Sequence, residues 1–267
     1  MKRLALLAVM ALVAVGLMPA TAGAGTDGGT AQVTIVHDAT YDAPTEPFTV
    51  TVCAGGEVID GNFSWGETLG PLTLPAVTIP VAIYVGADQL CEGEPDIGGD
   101  LVLEPGDDIT VAAVWLSGEG QPSIAVWPND SSCFAEGEGR ITARHGAAAG
   151  TVDVVGTIAG EQTVLIQDLE EGAQSILDVP GGLVVEDAAI VATGTTDVLI
   201  PLGDVTTIPG FNILVYAGGG ADGGADAFTG LIELDPCEVP VETTTTTAGP
   251  TTTAAAQPAT VTPRFTG

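Results

Sequence analysis

Past its second residue the chain contains no lysine, and past its third only three arginines, Arg140, Arg144 and Arg264. The missing lysine removes Schiff-base chemistry, a P-loop lysine and lysine-based isopeptide cross-links. Three cations against 35 acidic residues argue against nucleic acid, whose phosphates need a basic surface, and against an anionic membrane surface. Histidine is nearly as scarce, with only His37 and His145. There is no G-x-S-x-G elbow, no H-E-x-x-H pair and no close cysteine–histidine framework, so common hydrolase machinery has nothing to stand on. Aromatic residues make up 4% of the chain, and no amphipathic helical period stands out.

The only long apolar run is Leu4–Leu17, behind Lys2 and Arg3 and ahead of the small residues Ala20-Thr21-Ala22 and Ala22-Gly23-Ala24. This is the pattern of a cleaved secretory signal peptide over residues 1–24, too short for the roughly 20 apolar residues of a spanning helix. Residues 25–30 then form a short linker. Without the leader, three arginines remain against 35 carboxylates, a formal charge of −32. Such an excess suits either a saline habitat or simple colloidal solubility outside the cell. At the other end, "VETTTTTAGPTTTAAAQPATVTPRFTG" is Thr/Pro/Ala-rich with no strand or helix period. It reads as a disordered tail over 239–267, either a glycosylated stalk or a terminus carrying a short sorting tag.

What the chain has in quantity is short β-type runs between turns. With 37 glycines and 18 prolines as punctuation, seven such runs fall between Gln32–His37 and Ser123–Trp127, and eight between Arg140–His145 and Thr229–Leu234. No strand is read between Cys53 and Pro71. Three anchors repeat in order: "VTIVH" ending at His37 with "ITARH" ending at His145, "LTLP" ending at Pro75 with "LDVP" ending at Pro180, and "PGDDITVAAVW" from Pro105 with "PGFNILVYA" from Pro209. The predicted fold class is all-β: two tandem immunoglobulin-like antiparallel β-sandwich domains, over 31–129 and 130–238. Four cysteines in an exported chain make two disulfides the simplest reading, with zinc the alternative. Of the three pairings, Cys53–Cys91 and Cys133–Cys237 are preferred, since each closes a loop inside one half. Cys53 shares a strand face with Thr49 and Thr51, opposite Val50 and Val52, so its bridge is expected at the outer surface or rim.

Strand alternation puts Val33, Ile35 and His37 on one face and Ile141, Ala143 and His145 on the equivalent face of the second half. Both histidines are therefore expected to be structural, hydrogen-bonding a loop at the rim of the core. Arg140 and Arg144, on the opposite face, are expected to meet carboxylates, with an anionic ligand as the alternative. Two acidic stretches are calcium candidates: Glu92, Glu94, Asp96 and Asp100 in "CEGEPDIGGD", and Asp222 and Asp226 in "GGGADGGADAF". Neither has an EF-hand register, so acidic turns without metal or other cofactor are the preferred reading.

The succession His37-Asp38-Ala39 with Asp42-Ala43-Pro44, then "FTVTVCAGGEVI", "NFSWGE", "LTLPA" and "LVLEPGDDITVAAV", resembles the secreted bacterial domain-of-unknown-function 4397 family. That family runs H-A-S-P-D-A-P, a strand, N-V-A-F-G, L-x-L-P-A-G and L-x-L-x-A-G-K-x-Y-T-V-A-A-V. The resemblance is good over Ala31–Trp127 and fainter over Gly139–Asp235, where the Pro-Asp-Ala-Pro segment is lost; Asp107 and Ile109 stand where lysine and tyrosine are common. It implies an exported β-sandwich, often in tandem, and no catalytic residues. Trp65 falls on the family's Phe of N-x-x-F-G and is expected in the core, as is Trp115; Trp127 and Tyr41, near loops, are the candidates for stacking on a saccharide. The function expected is an exported, non-catalytic binding or adhesion module at the cell surface, with a glycan or protein ligand. The alternatives are a secreted carbohydrate-active hydrolase and a self-associating surface-layer component.

Overall fold

Alternating and continuous β-branched runs, cut by glycine turns, fold into sixteen strands in the computed structural model, which describes residues 29–39, 49–117, 122–219 and 225–233. The first eight are β1 (Thr30–His37), β2 (Thr49–Ala54), β3 (Glu57–Ser64), β4 (Thr68–Pro75), β5 (Thr78–Val85), β6 (Ile97–Val102), β7 (Asp108–Trp115) and β8 (Pro122–Pro128). They form two four-stranded sheets, β4-β1-β7-β8 and β3-β2-β5-β6. The next eight are β9 (Glu138–His145), β10 (Val152–Ile158), β11 (Glu161–Leu169), β12 (Gln174–Pro180), β13 (Val184–Ala192), β14 (Val198–Thr206), β15 (Phe211–Gly219) and β16 (Ala225–Glu233). Their sheets, β12-β9-β15-β16 and β11-β10-β13-β14, repeat the same order strand for strand. The protein is thus all-β, with two sandwiches of one topology.

Each sandwich has one parallel pair, β1 with β7 and β9 with β15, where an all-antiparallel arrangement was expected. The strand missed in the sequence, β3, contains Asp60, Gly61 and Asn62, which look like a turn. It pairs with β2 through irregular register across a two-residue hairpin, Gly55-Gly56, whose φ values of 61° and 82° are those of a type I′ turn.

The first core joins Ala31, Val33, Ile109 and Val111 to Leu101 and Leu103, and Ala113 to Val50, Val52, Phe63 and Ile83. The second joins Ala143 and Ala217 to Val152, Val154, Ile190 and Ile200. Phe63, not Trp65, is the aromatic of the first core: Trp65 is half-buried, because it lies beyond the end of β3, in the turn leading to β4, where the strand no longer directs it into the core. Trp115 is buried as expected.

A third apolar cluster contains Val36, Ala112, Val114, Ala125 and Trp127 of the first sandwich with Leu214 and Tyr216 of the second. Sheets β4-β1-β7-β8 and β12-β9-β15-β16 therefore pack on each other through the faces turned away from their own cores, giving four stacked layers. This explains why β7 and β15 are buried along nearly their whole length: a strand covered on both faces reads as a continuous apolar run.

The Cys53–Cys91 bridge forms as preferred, with a Cα separation of 5.9 Å, and pins the loop between β5 and β6 over the outer face of β2. Cys53 is nonetheless buried, because that loop covers it. Cys133 is also oxidised; Cys237 lies outside the described residues, as do residues 1–24 with the leader pattern, Tyr41, Asp222, Arg264 and the Thr/Pro/Ala-rich tail.

Candidate functional site: a cavity between the sandwiches

Alternation along β9 sends Ile141, Ala143 and His145 into the second core and Arg140, Thr142 and Arg144 to the opposite face, toward the first sandwich. Arg144 is 1% exposed. Its Nη1 donates to Thr110 Oγ1 at 2.8 Å and to the Tyr216 hydroxyl at 2.7 Å, its Nη2 to Asn129 Oδ1 at 2.6 Å and its Nε to Gln174 Oε1 at 3.1 Å. The guanidinium also lies 5.4 Å from the Trp127 ring centre and 5.3 Å from that of Tyr216, within cation–π range. All four acceptors are neutral, so the carboxylate partner expected for Arg144 is replaced by hydroxyls and amides from both sandwiches. Burial holds its pKa below the ordinary guanidinium value, opposed by Tyr216. Arg140 does meet carboxylates: Nε donates to Asp178 Oδ1 at 2.6 Å and Nη1 lies 3.1 Å from Asp130.

The same interface is bonded at its ends. Trp127 Nε1 donates to the Gly172 carbonyl at 2.7 Å, and the backbone N and hydroxyl of Ser117 donate to Glu171 at 2.9 and 2.8 Å. Trp115 N donates to Gly146 O at 3.0 Å, and Gly219 N to Asp38 O at 3.3 Å. These last two contacts are equivalent. Gly146 follows His145 as Asp38 follows His37, and pairing of His37 with Ala113 and of His145 with Ala217 makes Trp115 the counterpart of Gly219. A contact that recurs with its partners exchanged is the mark of an approximate two-fold axis, as in an isologous dimer.

Beside Arg144 lies a cavity of about 450 Å³, within the range that holds small ligands. One wall is Gln32, Thr34, Thr68, Gly70 and Pro71 of β1 and β4; the other is Thr142, Arg144, Asn212, Leu214, Tyr216 and Gly230 of β9, β15 and β16. Asp108, Thr110, Asn129, Asp130 and Ser131 complete the lining. Asn129 donates to Asp108 at 2.7 Å, and Thr142 donates to Asn212 Oδ1 at 3.1 Å. Asp130 is held below the usual carboxylate range, chiefly by hydrogen bonding from Ser132, with Arg140 adding to it.

Asp38, a residue the sequence did not single out, closes the seam at the far end. It is fully buried, and among the described residues neither carboxylate oxygen has a hydrogen-bond partner. Gly146 and Gly218 lie directly against it, where a Cβ on either would collide with the carboxylate. Burial drives its pKa well above the ordinary value, with the Arg144 charge opposing.

The histidines are not parts of one site, since each belongs to its own sandwich. His145 Nε2 lies 2.7 Å from the Gly150 carbonyl, the loop contact expected, and burial lowers its pKa. His37 packs edge-on against Phe63 with ring centres 5.9 Å apart, and burial pushes it down to about 4. Trp127 is corrected: it is 2% exposed and fills the interface, so no free face is left for a saccharide. Glu92, Glu94, Asp96 and Asp100 are not gathered round a point. Asp96 accepts the Val85 amide at 2.8 Å, and among the described residues no three His, Cys, Asp or Glu are grouped to hold an ion. Asp226 falls on β16, opposite Gly218.

The architecture defines a class: a stacked pair of like β-sandwiches with a cavity at their junction whose largely apolar lining carries a few polar groups. Residues 31–155 match the family described as "Domain of unknown function (DUF4397)". That span takes in the first sandwich and runs through β9 into β10, supporting the resemblance carried by the sequence motifs. Comparison with curated proteins returned no match.

Proposed function

We propose that the chain is an exported, non-catalytic binding module whose ligand enters the cavity between the sandwiches, the second sandwich being a divergent copy of the first. One observation carries this reading: the junction is tightly packed on the Trp127 side yet leaves about 450 Å³ beside Arg144, its mainly apolar wall studded with hydroxyl, amide and carboxylate side chains from both halves. Those groups suit hydrogen-bonded recognition. The leader pattern of residues 1–24 supports export, and a formal charge of −32 without it would keep the module away from anionic surfaces. Glycan and protein arrays probed with the mature chain test the proposal. A specific ligand recovered unchanged supports it; a ligand released as a cleaved product makes the protein an enzyme, and an array without hits together with concentration-dependent self-association makes it a structural component.

A further inference from the structure

The cavity is a break in the two-fold arrangement. Thr110 of β7 is opposite Trp127 of β8, and Leu214 of β15 is opposite Gly230 of β16. Thr34 pairs with Thr110 and Thr142 with Leu214, each three residues before its sandwich's histidine, so Thr110 and Leu214 are equivalent positions. It follows that Gly230 stands where a second Trp127 would stand. On one side of the axis an indole fills the junction; on the other the position has no side chain and the space is the cavity that Gly230 lines. A Cβ at Gly230 would meet only Leu214, at 3.8 Å, so the backbone there tolerates a side chain.

Resting on the binding reading above, we infer that the cavity takes one pyranose ring of a glycan, seated in the place that Trp127 occupies on the other side. The vacated position is ring-sized. Gly70, Pro71, Leu214 and Gly230 offer surface without polar side-chain atoms, suited to the C–H face of a sugar. Around them the polar groups are mixed donors and acceptors, as ring hydroxyls require. Asn212 spends its Oδ1 on Thr142, which leaves the Nδ2 donors. Arg144 has four of its five N–H groups engaged, which leaves one on Nη2. Thr34 and Thr68, both hydroxyl-bearing, belong to the first-sandwich wall. An aromatic side chain from a partner protein would fill the same space but leave these groups without partners, a cost a pyranose avoids.

The test is titration of the mature chain and of Gly230→Trp with neutral oligosaccharides of gluco-, manno-, xylo- and N-acetylglucosamine type and with an indole-bearing peptide, up to about 10 mM, enough to detect a Kd near 1 mM. The expected result is saturable binding of at least one oligosaccharide, weakened at least about tenfold by Gly230→Trp, with the melting temperature of the variant at or above that of the wild type. Asn212→Ala provides a second variant that keeps the cavity open, and it should weaken the same sugar. Sugar binding untouched by both variants overturns the cavity assignment while leaving a binding module. Binding of the peptide in preference to every sugar overturns the pyranose assignment. Absence of any sugar or peptide binding overturns the inference outright, and the arrays then decide the wider reading independently.

Discussion

Asp38 and His37 are neighbours whose buried side chains titrate in opposite senses. Asp38 keeps its proton to higher pH folded than unfolded. Above the ordinary value of 3.8 the folded state therefore binds more protons than the unfolded chain, and this contribution to stability is lost as pH rises through the raised value. His37 is about 4 folded against 6.5 unfolded, so its contribution is complete above 6.5 and is lost as pH falls from there toward 4. Asp38→Asn is expected to remove this loss and to stabilise the protein at pH 7 by about 1–3 kcal/mol, less than a full buried charge because the new amide is also unbonded. Melting temperatures of wild type and variant from pH 3 to pH 9 check this; parallel curves would show that Asp38 titrates alike in the folded and unfolded states. Arg144 is the other residue on which the seam depends. Arg144→Ala should cost about 3 kcal/mol, since Thr110, Asn129 and Tyr216 lose a shared donor, and Arg144→Lys should recover little because an ammonium cannot reproduce the planar fork. Urea unfolding of the two variants measures both.

The loop between β5 and β6 lies on β2 through the Cys53–Cys91 bridge and through Thr51, whose hydroxyl donates to the Gly86 carbonyl at 3.0 Å and accepts the Gln89 amide at 3.0 Å. The bridge spans 38 residues. The loop-entropy relation assigns such a span about 3–4 kcal/mol, so the Cys53→Ser, Cys91→Ser double variant should lose that much. Non-reduced peptide mapping should recover Cys53 with Cys91 and Cys133 with Cys237; Cys53 joined to either of the latter would contradict the architecture. Most strands were legible because β5, β10 and β13, for example, have turns at both ends and β-branched cores. β3 was not, since Asp60, Gly61 and Asn62 are turn-formers accommodated here only by the irregular pairing with β2.

On the scale of the whole molecule, 35 acidic residues against five lysines and arginines, a formal charge of −30, leave many carboxylates without cations. Their repulsion weakens as the screening length falls from about 10 Å at 0.1 M salt to about 3 Å at 1 M. The melting temperature should therefore climb gradually with sodium chloride, and millimolar calcium should add nothing beyond its ionic strength. A saturable rise at low calcium that magnesium does not reproduce would instead reveal an ion site. Scanning calorimetry in the two salt series separates these outcomes, and a melting temperature indifferent to salt would remove electrostatic repulsion as a factor.

The all-β class, the repeated strand pattern and the separate placement of the two histidines were determined by the sequence alone, because alternation and turn residues are local in origin; the Cys53–Cys91 bridge was the preferred of three pairings, and the fold selected it. The junction was decided only by the tertiary structure. The continuous apolar character of "ITVAAVW" and "NILVYA" is accounted for by strands covered on both faces only once the two sheets are seen to cover each other, and nothing local could say so. Trp127 looked like a loop aromatic and proved to be interface packing. Arg144 looked like half of an ion pair and proved to be held by neutral groups from two domains. Gly230 carried no signal at all, since a cavity exists only relative to what fills its counterpart, and that comparison needs both halves folded and stacked.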